Sequence, residues 1–286
     1  MLKQFWNLIK PRELNGRGCS RGELELQAYK PFSGIRDFYL AVCNKTAKFL
    51  FFYNNKEKKG YVLCIKQGGY IPKSGVFLCA ELTKHVNFVD KTILDIGTGE
   101  SGILAIHTSF FGAKAITAID VDHKVLHWAK QNAKLNGIKS IIWERSDMFK
   151  NVKGAFDIIV SNPPQMPMKK GLLHDAGGID GRKYIEEIID CSPQHLHYNG
   201  KLILLIFDFL GVDKSYGKSP PLFDHYHKKN FQPTILGKTM RVIRKGGQTQ
   251  KALDNIKMIY PRFRFREDSK GNMLHEVFVV SATKRK

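Results

Sequence analysis

Along the chain from residue 91 the period of the apolar positions switches repeatedly between that of a strand and that of a helix. Residues 91–96 are a short β-branched run, residues 101–111 carry apolar side chains at helical spacing, and residues 115–119 read as a second strand. In residues 122–135, Val125, Trp128, Ala129 and Ala133 share one helical face, and Asn136-Gly137 supplies a C-terminal stop. Residues 140–143 and 156–160 give the third and fourth strands, 182–196 a helix, and 201–207 a fifth strand. Strands alternating with helices of this length imply βαβ units. The expected fold is therefore α/β, a doubly wound, mostly parallel seven-stranded sheet.

The end of the chain breaks the alternation. Residues 257–265 and 275–282 are apolar runs flanking the polar stretch 267–272, which predicts a C-terminal hairpin and an antiparallel strand at the end of the sheet. Ahead of the alternating region, residues 1–88 read as a small substrate-side appendage with strand-like stretches at 38–42, 49–53 and 61–65, and residues 89–286 as the cofactor-binding domain. Leu2, Phe5, Trp6 and Ile9 lie at helical spacing, but the segment lacks the apolar core and cleavage site of a signal peptide.

Hydrophobic residues make up 43% of the 286 and aromatic residues 11%, enough for a sizeable core. The apolar stretch 202–210 is interrupted by Asp208 and is far shorter than the roughly 20 residues that span a bilayer. No membrane partner and a cytoplasmic location are expected. Cys19, Cys43, Cys64, Cys79 and Cys191 never form a C-x-x-C pair, and the pairs His123/His127, His195/His197 and His225/His227 have no further ligands converging on them. Neither a disulfide framework nor a metal site is expected. The net charge of +20 is unevenly placed, with 15 Lys/Arg against 6 Asp/Glu in residues 1–88, 13 against 13 in 89–200, and 18 against 7 in 201–286. A neutral centre between basic flanks points to a polyanionic partner. In the second flank Arg262-Phe263-Arg264-Phe265-Arg266 alternates, so that a strand there buries both Phe and presents three Arg to phosphates. The same pattern suits an edge strand protected by charge.

The strongest local signal is Asp95-Ile96-Gly97-Thr98-Gly99-Glu100-Ser101-Gly102, between a strand and a helix. Its glycines allow a tight turn and close approach of a ligand to backbone N–H groups. A nicotinamide-binding protein uses the same turn, with an acid about 20 positions on for the ribose, and Asp120 fits that spacing too. Two features weigh the other way. Asp95 opposes a diphosphate but suits a ligand carrying an ammonium and a sulfonium, and the fourth strand ends in Ser161-Asn162-Pro163-Pro164-Gln165, for which nicotinamide chemistry has no need.

On these residues the chain resembles the class I S-adenosylmethionine methyltransferases, and among them the Asn-Pro-Pro branch. That branch includes release-factor glutamine methyltransferases and RNA or DNA methyltransferases acting on exocyclic amino groups. The resemblance spans about residues 70–210. It implies S-adenosylmethionine as cofactor, Asp95, Gly97 and Gly99 in the methionine-binding loop, Asp120 on the ribose hydroxyls, and Asp147 with Met148 beside the adenine. Thr98, Gly102, Val121 and Asn162 join these as cofactor-binding residues. The segment Gly177-Gly178-Ile179-Asp180-Gly181-Arg182 is similar to a loop in the glutamine-modifying members. Asp122 reads instead as a helix N-cap, and Asp180 as a possible cap of the helix that follows it.

Methyl transfer is an in-line displacement, and an amide or exocyclic amino nitrogen has its lone pair delocalised. A site that accepts hydrogen bonds from both N–H groups draws that nitrogen toward pyramidal geometry as charge develops. The side-chain oxygen of Asn162 and the carbonyl of Pro163 are acceptors of this kind, and Pro163 and Pro164 stiffen the turn. The branch usually has an aromatic residue in the fourth position for stacking on the acceptor. Here it is Gln165, which could hydrogen-bond an amide or a base edge instead. The catalytic set is thus Asn162, Pro163, Pro164 and Gln165, and the expected activity is N-methylation of a macromolecule, either RNA or ribosome-associated or a translation protein. An NAD-dependent oxidoreductase and a non-catalytic RNA-binding protein that retains the fold are the alternatives.

Overall fold

The computed structural model describes residue 7 and residues 24–286, apart from 34, 44–46, 67, 70 and 169–174. The helical spacing of Leu2, Phe5, Trp6 and Ile9 lies outside the described residues. Among the described residues the strands form a four-stranded antiparallel sheet and an eight-stranded mixed sheet, interleaved with helices. The seven strands expected of an α/β fold are present, with a two-residue strand in addition. By its internal contacts the chain divides into two compact units, residues 1–91 with 98–147, and residues 92–97 with 148–286.

The first unit contains the antiparallel sheet, β1 (Leu24–Ala28), β2 (Phe38–Cys43), β3 (Ala47–Asn54) and β4 (Lys59–Ile65), in that order. Phe49, Leu50, Phe51 and Phe52 of β3 are all buried, because both faces of this sheet are covered. On one face Phe51 and Tyr53 pack with Ala41, Val62 and Leu135. On the other, Phe52 and Tyr61 meet Phe110 and His107. Among the described residues three helices complete the unit, α1 (Lys73–His85), α2 (Ile103–Phe110) and α3 (His123–Leu135), together with the parallel pair β6 (Ala115–Asp120) and β7 (Ile141–Arg145), which follow β5 (Thr92–Ile96) in the chain. Asp122 caps α3 as expected, its carboxylate accepting from Lys124 N at 2.8 Å.

The outer edge of β4 is closed by side chains rather than by a strand. Asn136 Oδ1 accepts from Val62 N at 2.8 Å while its Nδ2 donates to Val62 O at 2.6 Å. One turn earlier, Asn132 Oδ1 accepts from Cys64 N at 2.8 Å and its Nδ2 donates to Cys64 O at 3.3 Å. Four helical residues rise about 6 Å and two strand residues about 6.6 Å, so an i, i+4 pair of carboxamides matches alternate residues of an edge strand. Asn132 also donates to Ser101 O at 3.2 Å, which ties the sheet to the glycine-rich turn.

His107 is fully buried between Tyr61 Oη, 3.0 Å from Nδ1, and Thr83 Oγ1, 2.9 Å from Nε2. Loss of solvation lowers its pKa from 6.5 to about 3, so it stays neutral in the folded chain. The unfolded chain takes up a proton there near 6.5. This residue's stabilising contribution is therefore complete above 6.5 and is lost as the pH falls toward 3, about 5 kcal/mol in all. Urea unfolding at pH 7 and pH 4 should show a larger acid loss for the parent than for a His107→Gln variant. Equal losses would clear His107.

The second unit is built on β5 (Thr92–Ile96), β8 (Phe156–Ser161) and β9 (Leu196–Phe207), which run parallel, continued by antiparallel β12 (Met273–Lys284) and β10 (Phe231–Val242), in the order β10-β12-β9-β8-β5. The short β11 (Arg266–Glu267) pairs with β12. Helices α4 (Lys183–Cys191), α5 (Leu222–Lys228), α6 (Gln248–Lys251) and α7 (Leu253–Ile259) complete it. The expected C-terminal hairpin is corrected in one respect. The main partner of β12 is β10, and most of the predicted strand 257–265 is the end of α7 followed by a turn. Phe263 is nonetheless buried, Phe265 half-buried against it at 4.9 Å, and Arg262, Arg264 and Arg266 exposed. The in-out alternation holds without a strand.

Candidate functional site

In the second unit the register of β5 and β8 puts Asp95 opposite Val160 and Ile96 opposite Ser161, so that Gly97 and Asn162 both follow at the same C-terminal sheet edge. Ser161 Oγ donates to Ile96 O at 2.7 Å and pins the two strand ends together. Asp95 is 0% exposed, an acid held inside the sheet immediately before the turn. Gly97 has φ +69°, a conformation costly for any residue with a Cβ, and a Cβ built on it meets nothing within 4 Å. Open space beside an exposed, glycine-only backbone is what a ligand lying on this turn requires.

The four residues after Ser161 divide by what their polar groups do. The carboxamide of Asn162 is half-buried and forms no hydrogen bond with any described residue. Gln165 is 3% exposed and fully engaged. Its Nε2 donates to Pro163 O at 3.2 Å and to Leu205 O at 3.0 Å, and its Oε1 accepts from Phe207 N at 2.8 Å. Gln165 therefore brackets the Asn-Pro-Pro turn to the end of β9. The expectation that it hydrogen-bonds an amide or base edge is corrected, because both amide protons are already donated inward. Pro163 O keeps one lone pair beyond the bond from Gln165. Pro163 is buried and Pro164 half-buried.

A second glycine-rich segment holds this turn from outside. A Cβ on Gly177 would stand 2.6 Å from Gln165 Cα, and one on Gly181 would stand 2.6 Å from Gln165 O, so only glycine lets the segment lie against the motif backbone. Gly177 N donates to Met166 O at 2.9 Å, and Met168 N to Gly178 O at 2.8 Å. Asp180 Oδ1 accepts from Arg182 N at 3.0 Å just ahead of α4, and Asp180 O accepts from Tyr260 Oη at 2.6 Å. Arg182, only 1% exposed, donates through Nε to Glu186 at 2.8 Å and through Nη1 to Pro220 O at 2.7 Å, so it ties α4 to the loop after β9. The sequence marks this segment as a loop and Asp180 as a cap, but not the bonds that Arg182 and Tyr260 make to distant carbonyls. The spacing of Gly177, Gly178 and Gly181 was the loop's visible signal.

In the first unit, Thr98 N donates to Ile119 O at 3.0 Å and Gly99 N to Asp120 Oδ2 at 3.1 Å, while Asp122 N reaches Asp120 Oδ1 at 3.1 Å. Burial raises the Asp120 carboxyl above its ordinary 3.8, and these backbone donors counter part of that shift. Gly99 also has φ +69° with open space at its Cβ position. Gly102 serves packing instead, since a Cβ there would stand 3.0 Å from Trp143 and 3.1 Å from Ala129 Cβ. Val121 is exposed, with its carbonyl accepting from Arg145 Nε at 3.0 Å, and Asp147 is exposed after Ser146, whose N donates to Asp120 O at 3.0 Å. Met148, first residue of the second unit's long segment, stands at φ +51°, strained backbone for a methionine.

In the second unit a buried acid thus precedes a glycine facing open space, and in the first unit Asp120 at the end of β6 accepts from the backbone of Gly99 and Asp122. The profile of the "Methyltransferase small domain" family matches residues 71–248. A Methanocaldococcus jannaschii relative named as a protein N5-glutamine methyltransferase is 34% identical over 148 residues, 49% of this chain and 74% of its own. The ribosomal protein L11 methyltransferase of Lactobacillus delbrueckii subsp. bulgaricus is 34% identical over 126 residues, 43% of this chain and only 33% of its own length. In structure, the T. thermophilus 16S rRNA N2 G1207 methyltransferase, solved with AdoMet and guanosine, superposes with a TM-score of 0.50 at 15% identity, covering 93% of this chain and 60% of that one. That likeness concerns the fold. No described helix is long and apolar enough to cross a membrane.

Proposed function

Because the chain belongs to the methyltransferase small domain family, we propose that it methylates a planar nitrogen, a carboxamide or an exocyclic amino group, in a macromolecule of the translation machinery. It is an S-adenosylmethionine-dependent methyltransferase, and the nicotinamide and non-catalytic alternatives are not favoured. When bound, the cofactor supplies an electrophilic methyl group. Asp95 and the Gly97–Gly99 turn hold its methionine part, Asp120 its ribose, and Asp147 with Met148 and Val121 its adenine.

The observation that carries the nitrogen reading is the division of labour between two carboxamides three positions apart. Gln165 spends its amide on the backbone, whereas Asn162 keeps its own open at the sheet edge. An open carboxamide oxygen beside the remaining lone pair of Pro163 O accepts from the two N–H groups of an amide or amino acceptor. The Methanocaldococcus relative, with glutamine in its name, supports an amide, and the Lactobacillus relative supports a ribosomal setting. We assign the N-terminal region, residues 1–88, to the acceptor side and residues 89–286 to the cofactor domain.

Calorimetry tests the cofactor assignments. S-adenosylmethionine is expected to bind and NAD not to compete, and Asp120→Ala should weaken the cofactor by about 1.5–3 kcal/mol, the cost of a lost charged acceptor. Protonation removes that acceptor, so affinity should fall as the pH drops through a value above 3.8, where burial has moved Asp120. Asp120→Asn should abolish this acid limb. A limb of the same position in both proteins would remove Asp120 from the ribose. Methyl labelling of ribosomes and translation proteins from cells lacking the chain identifies the acceptor.

A further inference from the structure

Between β10 and β12 the chain makes an excursion, residues 243–272, that holds α6, α7 and the Arg-Phe repeat. It lies almost wholly beyond the matched family region, which ends at residue 248. Three side chains fasten it to the supports of the Asn-Pro-Pro turn. Asn255 Nδ2 donates to Pro167 O at 3.1 Å, five residues after Asn162, and Tyr260 Oη to Asp180 O at 2.6 Å. Arg262 Nη2 donates to Ser215 Oγ at 3.0 Å and Gly217 O at 2.7 Å, in the loop after β9. The excursion is thus anchored to the same edge of the sheet as Asn162.

Its charge is strongly one-sided. Residues 243–267 carry seven Lys/Arg against Asp254 and Glu267 alone. Arg244, Lys245, Lys251, Lys257, Arg262 and Arg264 are all exposed, and none forms an ion pair with an acid among the described residues. Side chains serving only solubility are commonly interspersed with acids, which blunt self-repulsion. Here the repulsion is left standing. Two large apolar side chains are exposed in the same neighbourhood, Met258 at 71% on α7 and Ile179 at 66% beside Asp180.

We propose that residues 243–267 are an RNA-docking element, whose unpaired cations take backbone phosphates of the substrate particle while Met258 and Ile179 contact sugar or base. This rests on the reading of the Asn162 edge as the methyl-transfer site of a translation-machinery substrate. It holds whether the methylated nitrogen belongs to a base or to a protein bound next to RNA. An acidic protein surface is the competing partner. It offers fewer and less regularly spaced anions than a phosphodiester chain, and a run of mutually repelling cations suits the denser one.

The test is a salt titration of a fluorescein-labelled RNA hairpin by anisotropy, with the full chain. Lys251→Gln/Lys257→Gln/Arg264→Gln removes cations without touching Asn255, Tyr260 or Arg262, and Lys114→Gln/Lys124→Gln/Lys130→Gln in the first unit removes the same charge elsewhere. The first variant should bind at least about tenfold more weakly and flatten the log–log salt slope by about 2–3, at roughly 0.7–0.9 per lost contact. The second should change the slope by less than one contact. Equal changes in both variants, or no binding by the parent at low salt, would overturn the proposal. Poly-glutamate competing as well as RNA would reassign the surface to a protein. S-adenosylmethionine affinity, measured in parallel, reports on the methyltransferase site separately, so RNA binding without methyl transfer counts against the reaction assigned to Asn162 and not against this surface.

Discussion

Replacing Asn162 with alanine is expected to lower methyl transfer by about a hundredfold or more and to leave S-adenosylmethionine affinity within about twofold of the parent. The size of the effect follows from where the carboxamide stands. It lies at the carboxyl end of β8, beside the end of β5 that leads into the glycine turn, and among the described residues it holds no partner. Alanine therefore removes an acceptor whose strength matters while the acceptor nitrogen is developing charge, and it costs little stability. Single-turnover labelling, calorimetry and thermal melting separate these three consequences. A variant as fast as the parent would end the role given to Asn162.

The opposite balance is expected at Gln165, where a tyrosine would restore the aromatic residue usual in the Asn-Pro-Pro branch. It should not improve activity. The side chain at 165 points into a closed space, with the backbone of Gly177 and Gly181 against its own backbone and Leu205 and Phe207 at its tip. Tyr has no donors or acceptors placed for Pro163 O, Leu205 O and Phe207 N, so three buried backbone groups lose their partner, at about 3–5 kcal/mol together. Melting should fall by roughly 10 °C for a chain of this size. Turnover should fall with it, since the bracket that fixes the Pro163 carbonyl is gone. Gln165→Met, close in volume but unable to hydrogen-bond, isolates the bracket from the size change. Full stability and activity in the Met variant would show that the three hydrogen bonds are dispensable.

Much of the architecture was legible because burial on one face leaves a periodic trace. The runs at 91–96, 115–119 and 156–160 became β5, β6 and β8 with shifts of a residue or so, and 122–135 became α3. Helix α1 left no such trace, for Gly75 to Leu82 are buried without interruption and an all-round apolar helix shows no stripe. Strand β10 was disguised in another way. It carries Pro233 and a bulge between Ile235 and Gly237, features that argue against a central strand but are tolerated on the sheet's edge, where β10 runs. With its partner hidden, β12 was matched to the nearest alternating stretch, which alternates only because Phe263 and Phe265 turn inward from irregular backbone. At the candidate site the glycines and acids stand out by spacing alone, and the structure gives Gly97 and Gly99 positive φ with open space where a Cβ would be. Gln165, Arg182 and Tyr260 could not, because each answers to carbonyls distant in sequence.

One of the two asparagines that close the edge of β4 also carries a chemical liability. Asn136 is followed by Gly137, whose lack of a side chain leaves its backbone nitrogen unhindered for attack on the asparagine carbonyl, the route to succinimide and then to aspartate or isoaspartate. While the amide is held by Val62 and by Asn132 O, at 2.6 and 2.7 Å, it cannot swing into that ring closure. Each opening of the joint between helix and sheet exposes it. Once converted, the nitrogen that donated to Val62 O is an anionic oxygen facing a carbonyl, and the joint no longer closes as before. A transient opening of this joint would thereby be recorded as a permanent one, whereas the exposed Asn199, also followed by a glycine, has no such clasp to lose among the described residues.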